Sequence, residues 1–254
     1  MSKNKSSIAE WFSSPLGSVT LSAEMQAISS GLRRFHGERM LWLSPCKPNA
    51  SLLSRCMVRH KFYGVLSAET VNLENLDGSI NLLTNAEQLP LQTGSMDAIM
   101  VHHAIDCAKD SRAAMREISR ILAPGGRLLL VGFNPLSVWW LRSLYAKVCE
   151  DGFSNLRFVN PYRVVDWLSV LGYEVDQKLN YIMYRPPLDL PYLNSRFWQR
   201  AEKYLQSKRI PVGGVYYLLF RKPSSSQPPL NFVHKKRHPI HAAALAKPVA
   251  RHSL

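Results

Sequence analysis

Two adjacent histidines, His102 and His103, follow the apolar run Ala98–Val101, and Asn134 follows a second apolar run, Leu128–Val131. An imidazole titrates near neutral pH, so either histidine has the chemistry of a general base or of a hydrogen-bonding partner to a bound ligand. Asn134 offers both a carbonyl oxygen and an amide. The competing reading for all three is a satisfied polar group at a strand end. Metal binding is not expected. Neighbours on an extended strand point to opposite sides, and no third ligand is evident beside them.

These residues need strands to hold them. Ala98–Val101 and Leu128–Val131 lack alternation, as strands covered on both faces do. Between them the spacing predicts a helix over 111–122, capped by Asp110 or Ser111 and burying Ala114, Ile118, Ile121 and Leu122. Pro124-Gly125-Gly126 then turns the chain into the second strand. Two such strands joined by a helix run parallel through a right-handed crossover. A ligand crevice is expected past their carboxyl ends.

Further strands are read at Met40–Leu43, Lys61–Leu66 and Ile80–Leu83. A helix is predicted over 18–36, where Leu21, Met25, Ile28, Leu32 and Phe35 make one stripe and Gly37 stops it. Ile8, Trp11, Phe12 and Leu16 suggest a short cover segment before it. Asn160-Pro161 starts another helix, with Val164, Val165, Leu168 and Leu171 facing inward. Tyr173–Leu179 alternates like a half-exposed strand; a helix over 195–206 and a strand over 215–220 follow. Strands alternating with helices predict an α/β three-layer sandwich. Residues 1–222 read as one domain, with 1–36 as an N-terminal helical cover.

The chain has 254 residues, enough for one sizeable core, and 46% hydrophobic with 20% charged residues is the balance of a globular protein. No apolar run approaches the roughly 20 residues of a membrane helix, and no secretory signal is expected from the N-terminal residues. The expected compartment is the cytoplasm. Cys46, Cys56, Cys107 and Cys149 form no C-x-x-C pair and read as reduced thiols. The net charge is +14, and from Arg221 onward there are seven Lys/Arg and no Asp or Glu. Residues 223–254 read as a basic disordered tail. Such a tail suits an anionic partner, nucleic acid or a membrane surface, or simply solubility.

Leu89-Pro90-Leu91, Ser95-Met96-Asp97 and the run from Arg116 to Leu128 (REISRILAPGGRL) resemble the type 11 group of class I S-adenosylmethionine-dependent methyltransferases. Gly132-Phe133-Asn134-Pro135 and the residues after it are similar to a subgroup of uncharacterised methyltransferase-like proteins of proteobacteria. The resemblance implies a Rossmann-like, seven-stranded, mostly parallel sheet whose last strand is antiparallel beside the fifth. It implies S-adenosyl-L-methionine as cofactor and a small-molecule or lipid-like acceptor.

That family carries a glycine-rich turn after the first strand. Here Leu43–Ser51 holds no glycine, and Pro45 and Pro48 remove two backbone donors; the candidates left to face the pocket are Ser44 and a helix N-terminus near Asn49 or Ser51. Glu69 is the candidate for the cofactor's ribose. Asn85 stands at the adenine-amino position, Ala86 beside the ring, and Glu87 and Leu89 in the same loop. His102 falls beside the methionine part, and His103 and Asn134 are the catalytic candidates. Trp139 and Trp140 form either an apolar lid or membrane-facing patch, or part of the core. The alternative functions are a catalytically inactive binding or regulatory protein of the same fold, and an RNA-associated methyltransferase using the basic tail. VHHAID, where base-modifying enzymes often carry an NPPF/Y-type tetrapeptide, weighs against the latter.

Overall fold

A computed structural model describes residues 8–46, 56–66, 80–149, 153–154, 156–187, 196–208 and 210–224. Helices α1 (Ile8–Phe12) and α2 (Pro15–Leu32) precede three strands: β1 (Arg39–Ser44), β2 (His60–Val65) and β3 (Ile80–Leu83). Next come β4 (Met96–His102), α3 (Ala104–Cys107), α4 (Ser111–Ile121), β5 (Leu122–Phe133) and α5 (Trp139–Cys149). The rest is α6 (Pro161–Val170), β6 (Glu174–Ile182), α7 (Arg196–Ser207) and β7 (Val215–Arg221).

The strands make one sheet in the order β3-β2-β1-β4-β5-β7-β6. Neighbours from β3 to β5 pair parallel, while β7 is antiparallel to both β5 and β6. The expected three-layer, Rossmann-like fold is therefore present, with its reversed strand between the fifth and the sixth.

Period-two alternation divides each central strand between two apolar layers. Trp42, Met100, Leu129 and Val131 face α1 and α2 on one side. Leu43, Ile99, Leu128 and Leu130 face α4 and α6 on the other. On α4 the buried set is Ala114, Met115, Ile118 and Ile121. Each of the three larger side chains contributes roughly 1.5–3 kcal/mol by leaving water. Asp110 caps this helix as expected, its Oδ1 accepting from Arg112 N and Ala113 N at 2.9 and 3.1 Å.

Some boundaries and faces differ from expectation. β5 begins at Leu122 because the Pro124-Gly125-Gly126 turn is built into the strand as an irregularity. Gly125 takes φ +80°, which glycine adopts without penalty, and the end of β7 pairs there through Gly125 N to Lys222 O and Lys222 N to Gly126 O, both 2.9 Å. Helix α2 starts at Pro15, where Ser14 Oγ accepts from Gly17 N at 3.1 Å, and ends at Leu32; Phe35 is buried beyond it. The alternation read for Tyr173–Leu179 fails at Val175, which is 49% exposed, because two register shifts interrupt the β6–β7 pairing. Leu171 likewise points outward. Residues 225–254, most of the expected basic tail, lie outside the described residues, as does Glu69.

Candidate functional site

Strand β4 delivers His102 to the carboxyl end of the sheet, opposite Val131 of β5. The chain then leaves the strand abruptly. His103 takes φ 53° and ψ 9°, a left-handed conformation uncommon for a non-glycine residue, and its N–H donates to Val131 O at 3.0 Å. This turn overturns the expectation that the two imidazoles point apart. Both rings meet Glu24 of α2: His102 Nε2 lies 2.8 Å from Oε2, and His103 Nε2 lies 3.1 Å from Oε1.

The remaining ring nitrogens also have partners. His102 Nδ1 is 3.0 Å from Ser44 Oγ at the end of β1, and His103 Nδ1 is 3.0 Å from Asp106 Oδ2. Asp106 Oδ2 accepts from Phe133 N at 2.9 Å, and Ser44 Oγ accepts from Cys46 N at 3.2 Å. Glu24, His102 and His103 are 0% exposed. Phe12 lies over both imidazoles with centroid distances of 5.6 and 5.5 Å, and Phe133 stacks on His103 at 4.0 Å.

Burial alone would neutralise these groups, yet their mutual pairing opposes it. Burial pushes the Glu24 carboxyl up, but the neighbouring His103 charge and the hydrogen bonds of both imidazoles outweigh it and hold it at about 2. Burial pushes His103 down, and the Glu24 charge with the Asp106 and Glu24 hydrogen bonds raises it to about 9. His102 is also raised against its burial, by hydrogen bonds to Cys46 and Glu24. The Asp106 carboxyl is pushed up by burial, which His103 offsets only in part. With a carboxylate on each side, His103 donates from both nitrogens.

Sequence reasoning missed Glu24 and Asp106. Glu24 had a signal: it is the only charged residue of α2, and it stands within the helix's inward face, four residues after Thr20 and four before Ile28. Asp106 had none beyond lying three residues after His103.

The other candidates fall into three places. Asn134, at the end of β5, is 0% exposed and fully engaged. Its Nδ2 donates to Pro211 O at 3.1 Å and Gly213 O at 2.9 Å, and its Oδ1 accepts from Leu136 N at 3.1 Å. The amide clamps the turn after β5 to the approach to β7, which corrects its reading as a catalytic group. Asn85, Ala86, Glu87 and Leu89 share the loop after β3. Asn85 is exposed, and its Oδ1 accepts from Glu87 N at 3.1 Å. The Glu87 carboxylate accepts from Asp110 N at 2.8 Å, and Leu89 N donates to Glu117 Oε2 at 3.3 Å, so these two residues tie the loop to α4.

Ala86 is buried with Ala108 and Ala114, and Leu66 packs against them. Asn85, next to this buried cluster in the chain, is exposed. The rim above β4 is different. There the Glu24–histidine network and the Phe12 ring fill the space, and neither His102 nor His103 opens to solvent. At the end of β1, Ser44, Pro45 and Cys46 are buried. Of the expected site positions, Asn85 is exposed, whereas Ser44, His102 and His103 are enclosed.

A groove of about 600 Å³ lies on the far side of the aromatic layer. Trp11, Leu16, Val138, Leu141, Tyr145 and Pro187 give it apolar walls, and Arg142 is the charged residue among those lining it. Trp11 separates it from His103, since its ring is 6.3 Å from the Phe133 ring that stacks on that imidazole. Trp139 is buried in the core with Nε1 donating to Arg185 O at 3.1 Å, whereas Trp140 is 46% exposed. The surface reading holds for Trp140 alone.

Residues 52–130, which include β4, α4 and most of β5, match a family described as a methyltransferase domain. A solved S-adenosylmethionine-dependent methyltransferase of Thermotoga maritima, described as a possible histamine N-methyltransferase, superposes with a TM-score of 0.59 at 17% identity. That alignment covers 84% of this chain and 93% of the other. The chain has the class I methyltransferase fold. Its sequence is similar to the uncharacterized protein YafS of Escherichia coli, 25% identical over 165 residues and 65% of each chain. It is also similar to the ubiquinone/menaquinone biosynthesis C-methyltransferase UbiE of Rubrivivax gelatinosus, 44% identical over 61 residues and 24% of each chain. The chain thus spans less than two thirds of the length of either relative. The resemblance to type 11 methyltransferases agrees with the family match, and with it the reading of S-adenosylmethionine as cofactor.

Proposed function

We propose that the chain is an S-adenosylmethionine-dependent methyltransferase acting on a small, apolar or lipid-like acceptor. The observation that carries the acceptor class is the apolar groove beside α5, large enough at about 600 Å³ for a small organic molecule and bordered by Arg142. The name of the UbiE relative, an enzyme of quinone biosynthesis, points the same way.

S-adenosylmethionine supplies a methyl group already activated on a sulfonium, so the protein's task is alignment and exclusion of water. Orientation alone can supply roughly 7–11 kcal/mol of a barrier. In this reading Asn85 and Ala86 hold the adenine end, while Ser44, buried at the tip of β1 and engaged with His102, stays behind the site. The groove orients the acceptor through its apolar walls, and Arg142 attracts an oxygen anion on it. Walled off from the groove by Trp11 and Phe133, His103 takes no proton from the acceptor; it positions the rim through the Phe133 ring stacked on it. The free thiols Cys46, Cys56 and Cys107 suit a reducing cytoplasm.

Calorimetry of the full chain against S-adenosylmethionine at about 100 μM should give one-to-one binding. Incubation with methyl-labelled cofactor and a panel of apolar phenols and quinols should then carry label into the organic extract. Absence of cofactor binding overturns the reading and leaves a non-catalytic protein of this fold.

A further inference from the structure

We propose that Glu24, His102 and His103 form a binding site for one divalent transition-metal ion of the zinc class, a proposal that stands independently of methyl transfer. One ligand atom from each, a carboxylate oxygen and two imidazole nitrogens, lie within 4.8 Å of one another, and all three residues are buried. Two imidazoles and a carboxylate are a donor set that zinc and its neighbours accept.

Three further features distinguish this cluster from an ordinary buried ion pair. First, each imidazole is oriented from behind. Ser44 Oγ and Asp106 Oδ2 sit 3.0 Å from the two Nδ1 atoms, so both rings can carry Nδ1–H and turn a bare Nε2 toward the ion. This is the outer arrangement that fixes ligating histidines in metalloproteins. Second, the convergence depends on the left-handed backbone of His103 at φ 53°, since extended backbone would send its ring to the other face. Third, little has to move. Tetrahedral coordination at about 2.0–2.2 Å places ligand atoms roughly 3.4 Å apart. The present Nε2–carboxylate distances of 2.8 and 3.1 Å are those of hydrogen bonds whose shared protons the ion would replace. Closed in on all sides, the ion would fasten α2 to the end of β4.

The test uses the full chain, stripped with a chelator and titrated with Co²⁺ and then Zn²⁺. One equivalent of Co²⁺ should bind with the visible absorption of a low-coordinate N/O site, and Zn²⁺ should displace it. Ser44→Ala should weaken binding about 10–100-fold, as loss of an outer partner does. His102→Ala and His103→Ala should weaken it further, and His60→Ala, an exposed histidine outside the cluster, should leave it unchanged. No stoichiometric binding overturns the proposal. So does undiminished binding in the His102→Ala/His103→Ala double variant, which would assign the ion to groups outside the cluster, among them His36, His234, His238, His241 and His252. If the variants do not fold by near-ultraviolet circular dichroism, imidazole ¹⁵N spectra of the unaltered chain decide. Zinc-induced shifts at the Nε2 atoms of His102 and His103 support the site, and shifts confined to other histidines overturn it.

Discussion

Asn134 shows how a polar residue at a strand end divides between chemistry and scaffolding. Its amide makes three hydrogen bonds to backbone at 2.9–3.1 Å, so it has nothing left for a substrate. Asn134→Ala would strand two carbonyls and an N–H near the core, and urea unfolding should show a loss of roughly 2–4 kcal/mol. Activity per folded molecule should stay within about threefold; a larger loss would return Asn134 to the chemistry. Asn85 is the opposite case, exposed at the rim. Asn85→Asp adds a charge to the hydrogen bond expected with the adenine amino group, and calorimetry should show cofactor binding about 3–10-fold tighter. Which of the two was functional could not be read from the sequence, because an asparagine's partners come from distant turns. Here they are Pro211 and Gly213, far along the chain. The histidines were misjudged for a different reason. Strand alternation is a sound rule until a single residue departs from β geometry, and His103 departs at the point where the rule was applied.

Elements were far more legible than sites. The central strands, the capped helix α4 and the Asn160-Pro161 helix start all follow from local pattern, since apolar runs and caps act over a few residues. Edge strand β6 was read less well, because its faces depend on register shifts against β7 that alternation does not encode. The packing of α1 against α2 was invisible as well, although one residue records it. A Cβ on Gly17 would meet Trp11 O at 2.0 Å and Phe12 Cα at 2.7 Å, both backbone atoms that cannot swing aside. Gly17→Ala should therefore cost about 1–3 kcal/mol by overpacking, although alanine is the better helix former. A thermal melt would show it as a lower Tm; an unchanged or higher value would mean that the two helices do not cross so closely. The same helices carry Phe12 and Glu24 onto the histidines, so loosening them should also weaken metal binding in the assay described above.

At the scale of the whole molecule, the sheet order has its own logic. Every strand from β3 to β5 is added beside a neighbour that already exists, but β6 meets the sheet only through β7. A chain ending at Gly214 would lack β7; β5 and β6 would each keep an unpaired backbone edge, and the one on β5 is apolar. Such a chain should appear in the insoluble fraction and bind a hydrophobic dye; a soluble, cooperatively melting product would contradict this account. A consequence reaches into biosynthesis. During synthesis β5 and β6 both leave the ribosome before β7, so the backbone edges that β7 will pair stay open to other chains until residues 215–221 follow.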